Sequence, residues 1–110
     1  MIYQGDIYLA DLSPIKGHEQ AGMRPVLILQ NNILNKNLNT IVIAPLTSNL
    51  KAKGKLTTYF LSSAVFNLKQ DSVILLFQIR TIDKTRLIKK IISLDESIFY
   101  KIKEQLNYIF

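Results

Sequence analysis

The sequence predicts a mainly β domain finished by one C-terminal α-helix, its strands curled into a small barrel or half-barrel. Short apolar runs rich in β-branched residues recur along most of the chain. Polar segments carrying Gly, Pro or Asn separate them, and the hydrophobic period turns helical only at the C-terminus. With 110 residues, 48% hydrophobic and 20% charged, the chain can fill one core and has no room for a second domain, so residues 1–110 are read as one unit.

The elements follow in order. "GDIYLADL" alternates Ile7, Leu9 and Asp11 against Asp6, Tyr8 and Ala10, which predicts a first strand with one buried face. Ser13 to Arg24 is predicted to be a long loop, punctuated by Pro14, Gly17 and Gly22. "PVLILQ" and "TIVIAPL" have the continuous apolar character of strands buried on both faces. The asparagine-rich "NNILNKNLN" between them suits turns and left-handed positions. "TTYFLS" and "DSVILLFQIRTI" read as two further strands, "DKTR" as a turn, and "LIKKIISL" as another strand. Ile98, Ile102, Leu106 and Ile109 recur at helical spacing, with Phe99 and Phe110 beside the stripe. Ser93 and Glu96 have capping-box spacing, which predicts a helix start near Leu94.

Composition narrows the chemistry. Without cysteine there is no disulfide, thiol nucleophile or thiolate zinc site, and a single histidine, His18, rules out a multi-histidine cage. The eight carboxylates are scattered: Asp6 and Asp11 fall on opposite faces of one strand, while Asp95 and Glu96 suit a helix start. No carboxylate cluster fits a two-metal site, so neither a metal nor another cofactor is expected. The formal charge of +6 favours a polyanionic partner, or simply keeps a small protein soluble. No apolar run is long enough to span a membrane, and the N-terminus lacks the basic region of a secretory leader. A cytoplasmic location and no membrane partner are the expectation.

Arg24 stands immediately before Pro25 at the mouth of an apolar run, where its backbone is held extended. It forms a structural ion pair with Glu19 or an aspartate, or it offers its planar fork to phosphate oxygens. Thr47 and Ser48 close the next apolar run and serve either turn chemistry or phosphate binding. If the two strands pair, Arg24 and Thr47 face one rim. They then hold a phosphodiester and its transition-state charge.

The stretches "GDIYLADLSPIKGHEQAGMRPVLILQNN", "IVIAPLTS" and "DSVILLFQIRTIDKTRL" resemble the MazF/PemK (Kid) toxins of bacterial toxin–antitoxin modules, most specifically in "GHEQAGMRPVLIL". The resemblance spans Gly5 to Leu87 in order. It implies an SH3-like barrel of the PemK/MazF/CcdB type, a homodimer, and metal-independent, sequence-selective cleavage of single-stranded RNA. In that family the ribose 2′-OH attacks its own phosphate, leaving a 2′,3′-cyclic phosphate and a 5′-OH. It further implies that Arg24 and Thr47 are the catalytic pair, with His18 and Glu19 as acid–base or orienting groups. The partner implied is a cognate antitoxin whose acidic segment covers the Arg24 loop.

Ser48, Gln78, Lys51, Lys53 and Phe77 complete the candidate RNA-binding set. Lys51, Lys53 and Lys55 track the RNA backbone or form a solvated loop. Phe77 stacks on a base or fills the core, and His18 is an acid–base group or an incidental loop residue. The chain departs from the family at Leu75 and Phe77, where Kid-type or other members carry charged residues; this puts the Kid-type acid–base scheme and the bases selected in question. Two other functions fit a toxin of this fold: non-enzymatic, CcdB-like gyrase poisoning, or inert RNA binding by a degenerate relic.

Overall fold

A computed structural model describes residues 1–13, 22–54, 56–66 and 68–110. Among them are seven strands: β1 (Asp6–Asp11), β2 (Met23–Ile28), β3 (Thr40–Thr47), β4 (Thr58–Leu61), β5 (Ser72–Leu75), β6 (Arg80–Asp83) and β7 (Leu87–Ser93). Three helices accompany them: α1 (Asn32–Asn37), α2 (Ser63–Phe66) and α3 (Glu96–Leu106). All pairings are antiparallel, in the order β4-β5-β3-β2-β1-β7, and β6 joins β3 beside β5. The end strands β4 and β7 do not pair with each other among the described residues, so the sheet is an open, curved half-barrel.

β3 is the central strand. Its first half pairs with β6, from Thr40↔Asp83 to Ile43↔Arg80, and its last residues pair with β5 through Leu46↔Ile74 and Thr47↔Val73. "DSVILLFQIRTI" is therefore not one strand: a 3-10 turn over Leu76–Gln78 breaks it where the edge of β3 passes from one half of the sheet to the other.

Strand alternation feeds two cores. Ile7, Leu27, Leu46, Ile74 and Ile102 belong to one, and Ala10, Val26, Ile28, Ile41 and Ile43 to the other. This explains the unbroken apolar runs of β2 and β3, which contribute to both. α3 seals the first core with Phe99 and Ile102, while Ile98, Leu106 and Ile109 pack around them. A fully buried isoleucine such as Ile102 contributes about 1.5–3 kcal/mol through its apolar surface. Phe110 does not join this stripe; it is 86% exposed.

Two local expectations are corrected. α3 starts at Glu96 with Asp95 as its N-cap residue, two positions later than the capping-box reading. Ser93 is still strand, and its hydroxyl donates to Asp6 Oδ1 at 2.7 Å; Leu94 then extends the pairing by donating its N–H to Gly5 O. The asparagine-rich connection holds a short helix as well as turns. Asn31 caps α1 by accepting from Leu34 N–H, and buried Asn35 exchanges hydrogen bonds with Gln30.

Candidate active site

Arg24 lies inside β2, opposite Ala10 of β1, rather than just before the strand. On its other side β2 meets β3 through Val26↔Pro45. Continuing that antiparallel register by two residues brings Arg24 level with Thr47. Ladder pairing stops short of this rung, next to Pro25, which has no N–H to donate towards β3. Beyond the prolines the two strand ends part and leave a cleft of about 250 Å³, lined by Arg24, Pro25, Thr47, Ser48, Lys69 and Gln70 among others.

The two strands fix the site's side chains differently. Thr47 is held on its far edge by pairing with Val73, and its Oγ1 accepts from Asn49 N–H at 3.1 Å. That contact orients the hydroxyl and leaves its proton to donate to an anion. Thr47 is 7% exposed, so its position is set by packing as well as by hydrogen bonding. Arg24 is half-buried, its backbone fixed by β1, and it lines the cleft. An arginine, a threonine hydroxyl and Lys69 lining one cleft are a residue set suited to binding a phosphodiester.

The expected site residues are only partly brought together. Arg24, Thr47 and Ser48 share the cleft. His18 and Glu19 lie outside the described residues, as does Lys55. The base of their segment is described: Leu12 N–H donates to Gly22 O at 3.0 Å, and Arg86 Nη1 donates to Asp11 O and Ser13 O. Gly22, with φ of 72°, makes the turn into β2 in a conformation that suits glycine. The segment thus enters and leaves beside Arg24.

Lys51 sits on a 3-10 turn (Leu50–Ala52) just past Thr47, capped by Asn49. Lys53 is turned over the Phe60 ring, 4.5 Å from its centroid, on the side where β4 faces α3. Phe77 is not a core aromatic: in the 3-10 turn after β5 it is 50% exposed, whereas Leu75 is buried. Val73 is the partner of Thr47, and Phe77 and Gln78 come four and five residues after it, in the 3-10 turn beyond β5. They do not line the Arg24–Thr47 cleft.

Lys69 and Gln70, which do line it, were missed. Their signal was positional: a basic and an amide residue immediately before the strand that pairs with Thr47. Among the described residues no three His, Asp or Glu side chains come together as a metal site. No described helix is long and apolar enough to cross a membrane.

A family model for the PemK-like, MazF-like toxin of type II toxin–antitoxin systems matches residues 3–110. The chain is 46% identical over 108 residues to "Endoribonuclease EndoA" of Bacillus subtilis, covering 97% of this chain and 92% of that protein. To "Endoribonuclease MazF" of Staphylococcus epidermidis it is 45% identical over 108 residues, covering 97% and 89%. Among solved structures, the Mycobacterium tuberculosis toxin MazF-mt6 superposes with a TM-score of 0.77 at 27% identity, covering 94% of this chain and 93% of that one.

Proposed function

The chain belongs to the PemK-like, MazF-like toxin family, and we propose from that membership that it is an endoribonuclease, the toxin of a type II toxin–antitoxin pair. The observation that carries the chemistry is the convergence of Arg24 and Thr47 on one cleft at the unpaired ends of β2 and β3. The names of the 45–46% identical relatives favour ribonuclease over gyrase poison. A degenerate relic is disfavoured because the two side chains best suited to a phosphodiester remain side by side. The family match over residues 3–110 supports treating the whole chain as one toxin domain, working in the cytoplasm.

The reaction is an in-line transesterification of single-stranded RNA. The ribose 2′-oxygen forms a bond to its own phosphorus as the bond to the 5′-oxygen breaks, leaving a 2′,3′-cyclic phosphate and a 5′-OH. The 2′-OH proton passes to a base, and the departing oxygen takes a proton. His18 and Glu19, in the segment that begins and ends beside Arg24, are the groups assigned to these transfers. Arg24 holds two non-bridging oxygens and stabilises the extra negative charge of the phosphorane; the Thr47 hydroxyl donates to one of them. No metal takes part in this scheme. Ser48 and Lys51 hold flanking backbone, whereas Lys53 is engaged by Phe60 on another side; exposed Phe77 and neighbouring Gln78 meet a base farther along.

The toxin is a homodimer, and Tyr100 of α3 with Tyr108 and Phe110 after it offers exposed aromatic surface for association. The antitoxin contributes an acidic segment that neutralises the basic face of this +6 chain.

The test is incubation of the purified protein with mixed-sequence single-stranded RNA in excess EDTA, with Arg24→Ala in parallel. Discrete cuts ending in 5′-OH groups, lost in the variant, are expected. Equal cleavage by Arg24→Ala would remove the role of Arg24, and dependence on divalent metal would remove the metal-free scheme.

A further inference from the structure

A second, larger cleft adjoins the Arg24–Thr47 site. Its volume is about 410 Å³, and Leu9, Pro25, Leu68, Lys69, Lys89 and Lys90 contribute to its walls. Pro25 and Lys69 line both clefts, so the two adjoin at the start of β2.

Strand register explains what faces this cleft. Leu9 pairs with Pro25 on one side and with Lys89 on the other, so Pro25, Leu9 and Lys89 form a cross-strand row over β2, β1 and β7, on one face. Lys90, opposite Tyr8, also borders the cleft, but its ammonium turns to Asp6, 3.6 Å from Oδ1. Leu68 roofs the row, and Lys69 stands at the junction with the first cleft. The result is an apolar floor with a lysine at each end, and neither Lys69 nor Lys89 has a carboxylate partner among the described residues.

We propose that this second cleft is a nucleotide subsite, which receives the RNA next to the scissile phosphate. The adjacent base lies on Leu9, Pro25 and Leu68, and its phosphate is held between Lys69 and Lys89. The inference rests on the ribonuclease reading above. A strand whose phosphate sits at Arg24 and Thr47 must leave that cleft, and the exit past Pro25 and Lys69 carries the right charge. Apart from Lys69, Lys89 and Lys90, the residues that line this cleft are aliphatic. The subsite therefore grips any base alike and adds affinity without sequence preference. An acidic peptide matches the charge too, but it has no need of a phosphodiester site next door.

The probe is a mixed-sequence 2′-O-methyl single-stranded oligonucleotide, which has bases and phosphates but no attacking hydroxyl. Its affinity is measured over a range of salt for the parent, for Lys69→Gln/Lys89→Gln, and for Lys101→Gln, an exposed lysine on α3 that controls for loss of a remote surface charge. The double variant is expected to bind roughly 10-fold more weakly, with the slope of log K against log salt reduced by about 0.7, the contribution of the one single-strand phosphate held between the two lysines. The loss is expected to be the same for oligonucleotides of different sequence, and Lys101→Gln to stay near the parent. A double variant that binds like Lys101→Gln, while the parent still cleaves RNA, overturns the subsite and leaves the ribonuclease reading intact. A parent that neither binds nor cleaves RNA overturns that reading, and the subsite with it. Loss of affinity for a polyglutamate peptide but not for the oligonucleotide reassigns the groove to protein docking and refutes the proposal.

Discussion

Replacing Thr47 with valine separates catalysis from stability at one atom. The substitution exchanges a hydroxyl for a methyl on a β-branched scaffold, so the packing of this buried position against β5 is largely kept. One protein contact is lost: Thr47 Oγ1 no longer accepts from Asn49 N–H. Asn49 is exposed, so water replaces the acceptor and the net cost is about 0.5–1 kcal/mol. For a domain of this size that lowers Tm by roughly 2–8 °C. Native stabilities of about 5–15 kcal/mol leave the variant folded at 25 °C. Loss of a donor to the phosphorane is far larger in effect, on the order of 10²–10³ in kcat. Thr47→Ser keeps the hydroxyl and is expected to retain activity within about 10-fold. Single-turnover cleavage of a labelled RNA, alongside thermal melts of all three proteins, measures both quantities. A folded Thr47→Val that cleaves at the parental rate would falsify the assignment of Thr47 to the phosphate. A collapse in stability of several kcal/mol would show that the hydroxyl is chiefly structural.

Two further expectations concern the scaffold. Asn35→Ala strips a buried pair in which Gln30 Nε2 donates to Asn35 Oδ1 at 3.0 Å and Asn35 Nδ2 donates to Gln30 O at 2.9 Å. A loss of about 1–3 kcal/mol is expected in urea unfolding, with RNA cleavage by the folded protein unchanged; a neutral result would mean the polar pair is replaceable. Asp71 accepts from both the N–H and the hydroxyl of Ser63, and these bonds, the backbone one foremost, hold its carboxyl below the ordinary value. A depressed folded-state pKa gives stability that is present above the unfolded value and lost as pH falls through the folded one. Its contribution therefore disappears only below about pH 3.9. Asp71→Asn should flatten the decline of the urea midpoint in that acid window; an unaltered slope there rejects the coupling.

Much of this organisation is written locally. The apolar runs that became β2 and β3 are legible because strands feeding two cores need no polar face, and Val26, Leu27 and Ile28 divide between the two. The α3 stripe is legible because Phe99 and Ile102 recur at the helical period. Where reading failed, a distant partner had taken the local signal. Ser93 has capping-box spacing, but its hydroxyl is engaged by Asp6 across the sheet. The helix in the asparagine-rich connection is secured by Gln30, five residues before the Asn35 it binds. Phe77 sits in an apolar run, yet it is exposed because β3 changes partner there and a 3-10 turn interrupts the strand.

For the candidate site, the sequence by itself determined the inventory: a cation fixed in extended backbone by Pro25, hydroxyls at the end of the next apolar run, a basic chain, and no cysteine. Those properties depend on residue identity and nearest neighbours. Tertiary structure alone decided that Arg24 and Thr47 come level by register, that the β2–β3 ladder ends before them, and that Lys69 joins them from the chain before β5. It also set Lys89 on the face of Leu9 and turned Lys90 to Asp6. Register between strands far apart in the chain fixes such juxtapositions, and register is set by the packing of the whole sheet rather than by any short stretch of residues.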